Sequence, residues 1–256
     1  MQPFGGRRRA MAIFNAHKER HLERAVIWLV IWPALFLPER TAIDLPVIPP
    51  LDKVVIPNLV LLALLLGLRT QKFKILPDNP LGRLLVIGIT ISPFATSLVN
   101  GNPMFNNLHW IPGTTFYDAF TDLIRALVFI IPFIIGRSFL ASAEAHREIL
   151  RTLVLSGVVY SVLILFENRF SPQLHTWIYG FFQHVFSQHV RGGFFRPAVF
   201  MEHALWVAFF AMSATVSAAI LWRSMAPSFP QIRTDDAWSR RFYLIMIAYL
   251  FAALCL

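Results

Sequence analysis

Long apolar runs alternate with short polar clusters along the whole chain. Seven runs approach the roughly 20 residues that a membrane-spanning helix needs. They lie at about 25–38, 53–68, 83–99, 117–137, 149–167, 199–222 and 242–256. The second run is short and contains Pro57. Because an isolated strand leaves its backbone groups unsatisfied in lipid, every run is expected to be helical. The pattern predicts an all-α, polytopic transmembrane helical bundle of about seven spans.

The basic residues predict one orientation for these spans. Of the 23 Lys and Arg residues, 17 lie in the tail 1–24 and in the loops 69–83, 137–151 and 223–241. The connections on the opposite side hold Arg40, Lys53, Arg169, Arg191 and Arg196. Cytoplasmic loops carry an excess of Lys and Arg. We therefore expect residues 1–24 to be a basic cytoplasmic tail and residues 25–256 to be the transmembrane domain.

The composition changes this picture only in detail. The chain is 56% hydrophobic and 14% charged, against about 25% charged in soluble domains. The net charge of +9 is spread between apolar runs rather than along one polar face, which argues against a nucleic-acid partner. Cys255 is the only cysteine. The last run ends at Leu256 and is short for a span, which predicts that the chain is the front part of a longer protein.

The segment 168–198 is the largest connection predicted to lie outside the cytoplasm. Its stretch PQLHTWIYGFFQHVFSQHV, residues 172–190, has apolar residues at helical spacing and His or Gln between them. This pattern predicts an amphipathic helix lying at the outer membrane interface. Such a helix is either a lid packed on the spans or the wall of a groove for a lipid-linked substrate, with Trp177 as a binding residue. His175, His184 and His189 match no familiar metal-ligand spacing, and no metal is expected.

The letters RGGFFRP stand directly before the sixth predicted span. Gly192 and Gly193 permit positive φ and close backbone approach. Arginine binds phosphate in a bidentate manner, so Arg191 and Arg196 are candidates to hold a phosphate or pyrophosphate. The alternative is that the two arginines only reach lipid head groups. Pro197 is suited to the first turn of the following helix.

Glu202 and His203 are predicted to lie inside the sixth span, about one and a half turns from its start. Ionisable groups in a membrane usually face a cavity or a partner. Glu202 is expected to pair with Arg196 or Arg191, and His203 to orient a polar group of the substrate. A purely structural ion pair is the alternative.

The fourth predicted span carries three charged residues on one face. Asp118, Asp122 and Arg125 are separated by helical spacings of four and three. We expect a buried pair between Asp122 and Arg125, facing the bundle rather than lipid. Asp118 lies near the outer end, where it is a candidate substrate-binding residue.

The stretch FENRFSPQLHTWIYGFFQHVFSQHVRGGFFRPAVFMEHALWVAFF resembles the bacterial O-antigen ligases and Wzy-type polysaccharide polymerases. Those proteins show an arginine, a Gly-Phe turn and a proline just before a span, after an extracytoplasmic helix. The exopolysaccharide polymerase branch has a run that matches Arg196, Pro197, Phe200 and His203. The sequence contains no P-loop, GxSxG, HExxH or dinucleotide motif that would indicate another chemistry.

The resemblance implies a GT-C-like glycosyltransferase in the bacterial inner membrane, with neither metal nor nucleotide-sugar cofactor. Its donor would be an undecaprenyl-pyrophosphate-linked oligosaccharide on the periplasmic face, and other polysaccharide-assembly proteins are possible partners besides the bilayer. Arg191 and Arg196 would stabilise the leaving pyrophosphate, with Glu202 and His203 as further catalytic candidates and Gly192 and Gly193 as substrate-binding ones. Family members usually continue to ten or more spans, and the asparagine that often follows the proline is replaced here by Ala198.

Two other functions fit the same sequence. A transporter or flippase of lipid-linked glycan would need polar or broken helices in both halves of a repeat, and no repeat is visible. A non-catalytic or truncated assembly subunit is the second alternative, and the abrupt C-terminus favours it.

Overall fold

The computed structural model describes residues 4–45, 48–67, 76–106, 109–224 and 240–255. These ranges are mostly helical. The helices are α1 Phe4–Phe36, α2 Val55–Gly67, α3 Pro80–Val99, α4 Phe116–Phe139, α5 Ala143–Phe170, α6 Leu174–Tyr179, α7 Ala204–Ser224 and α8 Arg240–Cys255. A short 3₁₀ helix covers Phe186–His189.

Three antiparallel hairpins complete the described structure. Their strands are β1 Ile43–Leu45, β2 Ile48–Leu51, β3 Met104–Asn106, β4 His109–Ile111, β5 Val190–Arg191 and β6 Phe194–Phe195. Each hairpin pairs only with itself, as β1 with β2, β3 with β4, and β5 with β6. The prediction of an all-α chain therefore needs correction in three of the connections, where closely spaced extended segments satisfy each other's backbone groups.

Each of the seven predicted apolar runs contains a helix, and four helices are suited to a membrane span. Within the described ranges, α3, α4, α5 and α7 are long and apolar enough to cross a membrane by length and composition. The 13 residues of α2 and the 16 of α8 give helices of about 20 and 24 Å, less than the roughly 30 Å of a hydrocarbon core. The coarse prediction of a membrane-embedded helical protein is confirmed, and the number of seven spans stays a prediction.

The first helix is longer than its apolar run. α1 has 33 residues and begins at Phe4, so it continues through most of the predicted tail. Ala, Arg, Lys, Glu and Leu dominate residues 7–25, and all are good helix formers. Helix propensity therefore extends α1 well beyond the residues that are apolar enough for lipid.

The chain divides into two compact units, and one of them is continuous in sequence. It comprises Thr41–Ala141 and contains α2, α3 and α4 with the hairpins β1–β2 and β3–β4. Asn79 caps α3 by accepting a hydrogen bond from the N–H of Leu81 at 3.0 Å. Thr115 caps α4. All described side chains of α3 are at least partly exposed.

The other unit comprises Met1–Arg40 and Ser142–Leu256. Its helices α5, α7 and α8 pack on one another, and α1 packs on α5. A Cβ atom built on Gly157 of α5 would lie 2.5 Å from the Cβ of Ala214 on α7, so only glycine permits this approach. Arg24 of α1 forms an ion pair with Glu148 of α5 at 3.0 Å.

An aromatic cluster connects the helices of this unit to the loop between α6 and α7. Tyr160 packs edge-on against Phe36 and Phe210, with ring centroids 5.7 and 5.5 Å apart. Phe200 lies 6.0 Å from Phe36 and 5.7 Å from Tyr179. The Tyr179 hydroxyl donates to the carbonyl oxygen of Phe36. These contacts place the loop before α7 against the hydrophobic core.

Candidate functional site

The two arginines of the RGGFFRP stretch are held by a tight hairpin. Arg191 in β5 pairs with Phe194 in β6, which leaves Gly192 and Gly193 as a two-residue turn. Their φ values are +59° and +82°, and positive φ at both central positions is the type I′ pattern that glycine favours. The N–H of Arg196 donates to the carbonyl of His189 at 2.7 Å and extends the ladder.

Both guanidinium groups of this hairpin lack an acidic partner among the described residues. Glu202 was expected to neutralise one of them, but it pairs with Arg40, with Nη2 and Oε1 3.3 Å apart. The backbone N–H of Glu202 also donates to Glu39 at 3.2 Å. Glu202 is therefore bound by Glu39 and Arg40, in the connection that follows α1. Arg191 and Arg196 are left without an acidic partner among the described residues.

Arg196 borders a cleft between membrane-suited helices. The cleft has a volume of about 290 Å³. Among the described residues that line it, Arg196 alone is charged and the others are apolar. They are Ile164 of α5, Phe195 and Pro197 of the hairpin and its exit, Ala204, Leu205, Val207, Ala208 and Ala211 of α7, and Ala253 of α8. A cation at the rim of an apolar cleft is suited to a ligand with an anionic head and a hydrocarbon chain.

A buried carboxylate on α5 holds the backbone next to Arg196. Glu167 is 1% exposed. One of its oxygens accepts hydrogen bonds from the N–H groups of Ala198 and Val199, at 3.0 and 2.7 Å. The other oxygen accepts from the N–H of Leu174 at 3.0 Å. Because three backbone donors converge on it, the carboxylate fixes the loop without a cationic partner.

Two further buried side chains complete the support of this loop, which is residues 198–201. The Gln183 amide donates to the carbonyls of Val199 and Met201, at 3.1 and 3.0 Å. The Tyr160 hydroxyl accepts from the N–H of Phe200 at 3.1 Å. Val199 has φ of +53°, which costs a β-branched residue about 1–3 kcal/mol. The surrounding hydrogen bonds hold this strained conformation in place.

The predicted amphipathic helix over 172–190 is wrong in its extent. α6 ends at Tyr179 because Gly180 adopts φ of +85°, a left-handed conformation that commonly terminates helices. The polar residues His175, Gln183 and His189 are buried, whereas the apolar face is exposed, with Trp177 at 61%. Hydrogen bonds within the loop, rather than apolar periodicity, decide which residues lie inside.

The sixth predicted span begins later than expected. α7 starts at Ala204, so Glu202 and His203 lie in a turn before the helix rather than inside it, and Pro197 is not in its first turn. Residues 198–201 do not enter a helix, because hydrogen bonds to the buried side chains of Glu167, Gln183 and Tyr160 hold their backbone in a turn. His203 closes the turn, because its Nδ1 accepts from the N–H of Leu205 at 3.1 Å.

Three histidines meet beside Arg196. The rings of His184, His189 and His203 have centroids 5.2–5.7 Å apart. The carbonyl of Arg196 lies 3.1 Å from Nδ1 of His189, which must be the protonated nitrogen. His189 is fully buried. Burial lowers its pKa, with a smaller opposing effect from this hydrogen bond.

In the described ranges no three His, Cys, Asp or Glu side chains form a group that could hold a metal ion. His175 has a different set of hydrogen bonds from the other histidines. Its Nε2 accepts from the N–H of Glu39 at 3.3 Å, and its Nδ1 contacts the carbonyl of Phe181 at 2.8 Å.

The acidic residues of α4 belong to the continuous unit Thr41–Ala141. Asp118 accepts from the N–H and the hydroxyl of Thr115, both at 2.8 Å, and so forms the capping box of its own helix. The expected pair between Asp122 and Arg125 is wrong. Arg125 lies 4.0 Å from Asp52 instead, and Asp122 is exposed.

No family model matches the chain, and neither a curated protein nor a solved structure does so.

Proposed function

We propose that the protein binds a polyprenyl-diphosphate-linked glycan and takes part in glycosyl transfer, as a polysaccharide polymerase or an O-antigen ligase-like enzyme of the bacterial inner membrane. The observation that carries this proposal is the cleft of about 290 Å³, whose lining is apolar apart from Arg196. An isoprenoid chain requires such an apolar surface, and its diphosphate requires a cation that is not already neutralised.

The same arrangement supports a role in bond cleavage. In the proposed reaction an acceptor hydroxyl oxygen forms a bond to the anomeric carbon of the glycan, and the bond from that carbon to the diphosphate oxygen breaks. The leaving diphosphate gains negative charge, and the acceptor loses a proton. Arg191 and Arg196 would stabilise this charge. The hairpin and the supported loop 198–201 fix the backbone from which both arginine side chains extend.

The segment 166–210 adds an independent argument from sequence. Its likeness to O-antigen ligases and Wzy-type polymerases includes Arg196 and Pro197, and the charge pattern predicts that its connection 168–198 faces the periplasm. The resemblance implies that the donor glycan is attached to undecaprenyl diphosphate on that face. We therefore propose the undecaprenyl-linked oligosaccharide as donor and other polysaccharide-assembly proteins as partners.

The proposal predicts that Arg196→Ala and Arg191→Ala weaken binding of a synthetic farnesyl-diphosphate sugar by at least about tenfold each, since each removes a charge-assisted contact of about 1.5–3 kcal/mol. Binding is measured on detergent-solubilised protein by isothermal calorimetry. Glycan assembly in cells should fall with it. Arg169→Ala is the control, because Arg169 is exposed at the end of α5 and, among the described residues, lies over the ring of its neighbour Phe170 without an acidic partner.

Two results would contradict the proposal. Equal binding by wild type and Arg196→Ala would remove the arginine from the site. Movement of the lipid-linked glycan across proteoliposomes, with no transfer to an acceptor, would support a transporter instead. Retention of each variant in the membrane at wild-type level is required for either interpretation.

A further inference from the structure

The hairpin β3–β4 presents large apolar side chains on both of its faces. Its register pairs Met104 with Ile111 and Phe105 with Trp110, and successive residues of a strand point to opposite faces. The exposed fractions are 66% for Met104, 80% for Phe105, 58% for Trp110 and 46% for Ile111. A two-stranded hairpin is at best marginally stable in water, and neither face of this one is buried within the described structure.

The base of the hairpin is fixed to the ends of the two helices that it connects. α3 and α4 pack on each other. The N–H of Thr114 donates to the carbonyl of Asn100 at 2.9 Å. A Cβ atom built on Gly113 would lie 2.0 Å from the carbonyl oxygen of Gly101, so only glycine permits the chain leaving β4 to pass so close to the chain entering β3. The exposed apolar side chains are therefore held at a set position beside the helix ends.

The helices locate this hairpin at a membrane surface. α3 and α4 are both suited to a span. α3 has no buried side chain among its described residues, and Leu84, Ile87 and Ile91 along it are exposed, as expected of a helix surface that contacts lipid. Because the hairpin joins the end of one such helix to the start of the next, it lies where the chain leaves the hydrocarbon. The charge pattern predicts that this is the extracytoplasmic face.

The surroundings of the hairpin favour lipid over a protein or a glycan as its partner. No Asp, Glu, Lys or Arg occurs between Arg83 and Asp118, so the apolar surface continues from α3 through the hairpin into α4 without a charged border. By contrast, β1 contains Asp44 and β5 contains Arg191. Protein interfaces have a polar rim, and small-ligand sites have convergent polar groups. The interface of a bilayer instead accepts exposed aromatic side chains.

We propose that the hairpin β3–β4 is an interfacial anchor, inserted with both faces into the boundary between head groups and acyl chains at the extracytoplasmic face. Trp110 and the exposed Tyr117 at the start of α4 then lie at the level where Trp and Tyr are enriched in membrane proteins. The outer edges of the ribbon have unpaired backbone groups, which the hydrocarbon core cannot satisfy. Its depth is therefore limited to the boundary, where head groups and water reach those edges. This inference is independent of the proposed glycosyl transfer.

Spin labels on single cysteines test the insertion. In a Cys255→Ser background, Met104→Cys and Phe105→Cys place one label on each face, in protein reconstituted into vesicles of phosphatidylcholine and phosphatidylglycerol. At both positions the ratio of collisions with oxygen to collisions with a polar nickel complex should be at least about twofold above that of a label at the exposed Asp78, because an apolar phase excludes the polar complex. A label at Ile89, in the middle of α3, gives the value for lipid.

A second measurement uses the chain without a label. Lipids that are brominated near the head-group end of their acyl chains quench tryptophan at that depth. The emission lost to this quenching should be smaller in Trp110→Phe than in wild type, because the substitution removes a fluorophore from the boundary and keeps an apolar ring. Equal melting temperatures show that the labelled and substituted variants are folded.

Each other outcome overturns the inference in a recognisable way. Labels at both Met104 and Phe105 that are as accessible to nickel as the label at Asp78 place the hairpin in water. A label shielded from both reagents on one face shows that protein covers that face, and loss of this shielding at a lower ratio of protein to lipid identifies a second copy of the chain as the partner. An equal loss of emission in wild type and Trp110→Phe also contradicts insertion.

Discussion

At the residue scale, the position of Arg196 depends on the carboxylate of Glu167, which lies 29 residues earlier in the chain. Glu167 contacts no cation in the described structure and accepts hydrogen bonds from three backbone N–H groups instead. Its role is therefore to position the loop rather than to contact substrate.

Replacement of Glu167 by glutamine should destabilise the protein. The amide nitrogen is a donor, so at least one backbone N–H would face another donor and lose its acceptor. We expect a loss of about 1–3 kcal/mol, seen as a lower melting temperature of the detergent-solubilised protein, together with weaker binding of the farnesyl-diphosphate sugar. Glu144→Gln, at the exposed start of α5, should change neither by much. Wild-type stability in Glu167→Gln would show that the three hydrogen bonds are not important.

The sequence located some of these residues and missed others for physical reasons. Arg191, Arg196 and the glycine pair were found because arginines beside two consecutive glycines can be recognised within a few residues of sequence. Glu167 interrupts an apolar run near the end of a span, and that interruption was a signal that could have been followed. Its partners were not predictable, because backbone N–H groups have no sequence signature.

At the element scale, apolar length predicted the helices well and periodicity predicted the loop badly. Every predicted run contains a helix, since a long apolar run has few alternatives. In 172–190, Gly180 ends the helix and buried hydrogen bonds of Gln183 and His189 override the apolar spacing. The Glu202–Arg40 pair joins residues that are 162 positions apart in the sequence. The positions of charged residues along the chain do not predict which of them pair over such a separation.

The contact between α5 and α7 gives an element-scale prediction. Gly157→Leu should separate the two helices, because even a Cβ at this position would lie 2.5 Å from that of Ala214. Overpacking of this kind costs about 1–3 kcal/mol or more. The melting temperature should fall clearly. Gly136→Ala in α4 is the control, since nothing lies within 4 Å of its added Cβ, and alanine favours the helix. An unchanged melting temperature for Gly157→Leu would contradict the close packing.

At the scale of the whole molecule, the orientation in the membrane remains a prediction from charge. Four helices suited to a span lie in the described ranges, and 17 of the 23 basic residues fall on one predicted side. The proposed function requires the hairpin of Arg191 and Arg196 to face the periplasm.

Cysteine labelling can test this orientation. After Cys255→Ser, a cysteine placed at the exposed Ser187 should react with an impermeant maleimide added to intact cells. One placed at Asp78 should react only after the membrane is permeabilised, because the two lie on opposite predicted sides. Labelling of both positions in intact cells, or the reverse pattern, would contradict the predicted topology.

The long helix α5 connects two distant parts of its unit. Its 28 residues form a rod of about 42 Å, with Glu148 bound to α1 near one end and Glu167 bound to the loop of Arg196 near the other. One continuous helix therefore fixes the spacing between its contact with α1 and its contact with the loop of Arg196. A change in the length of α5 between Glu148 and Glu167 would shift the loop relative to α1.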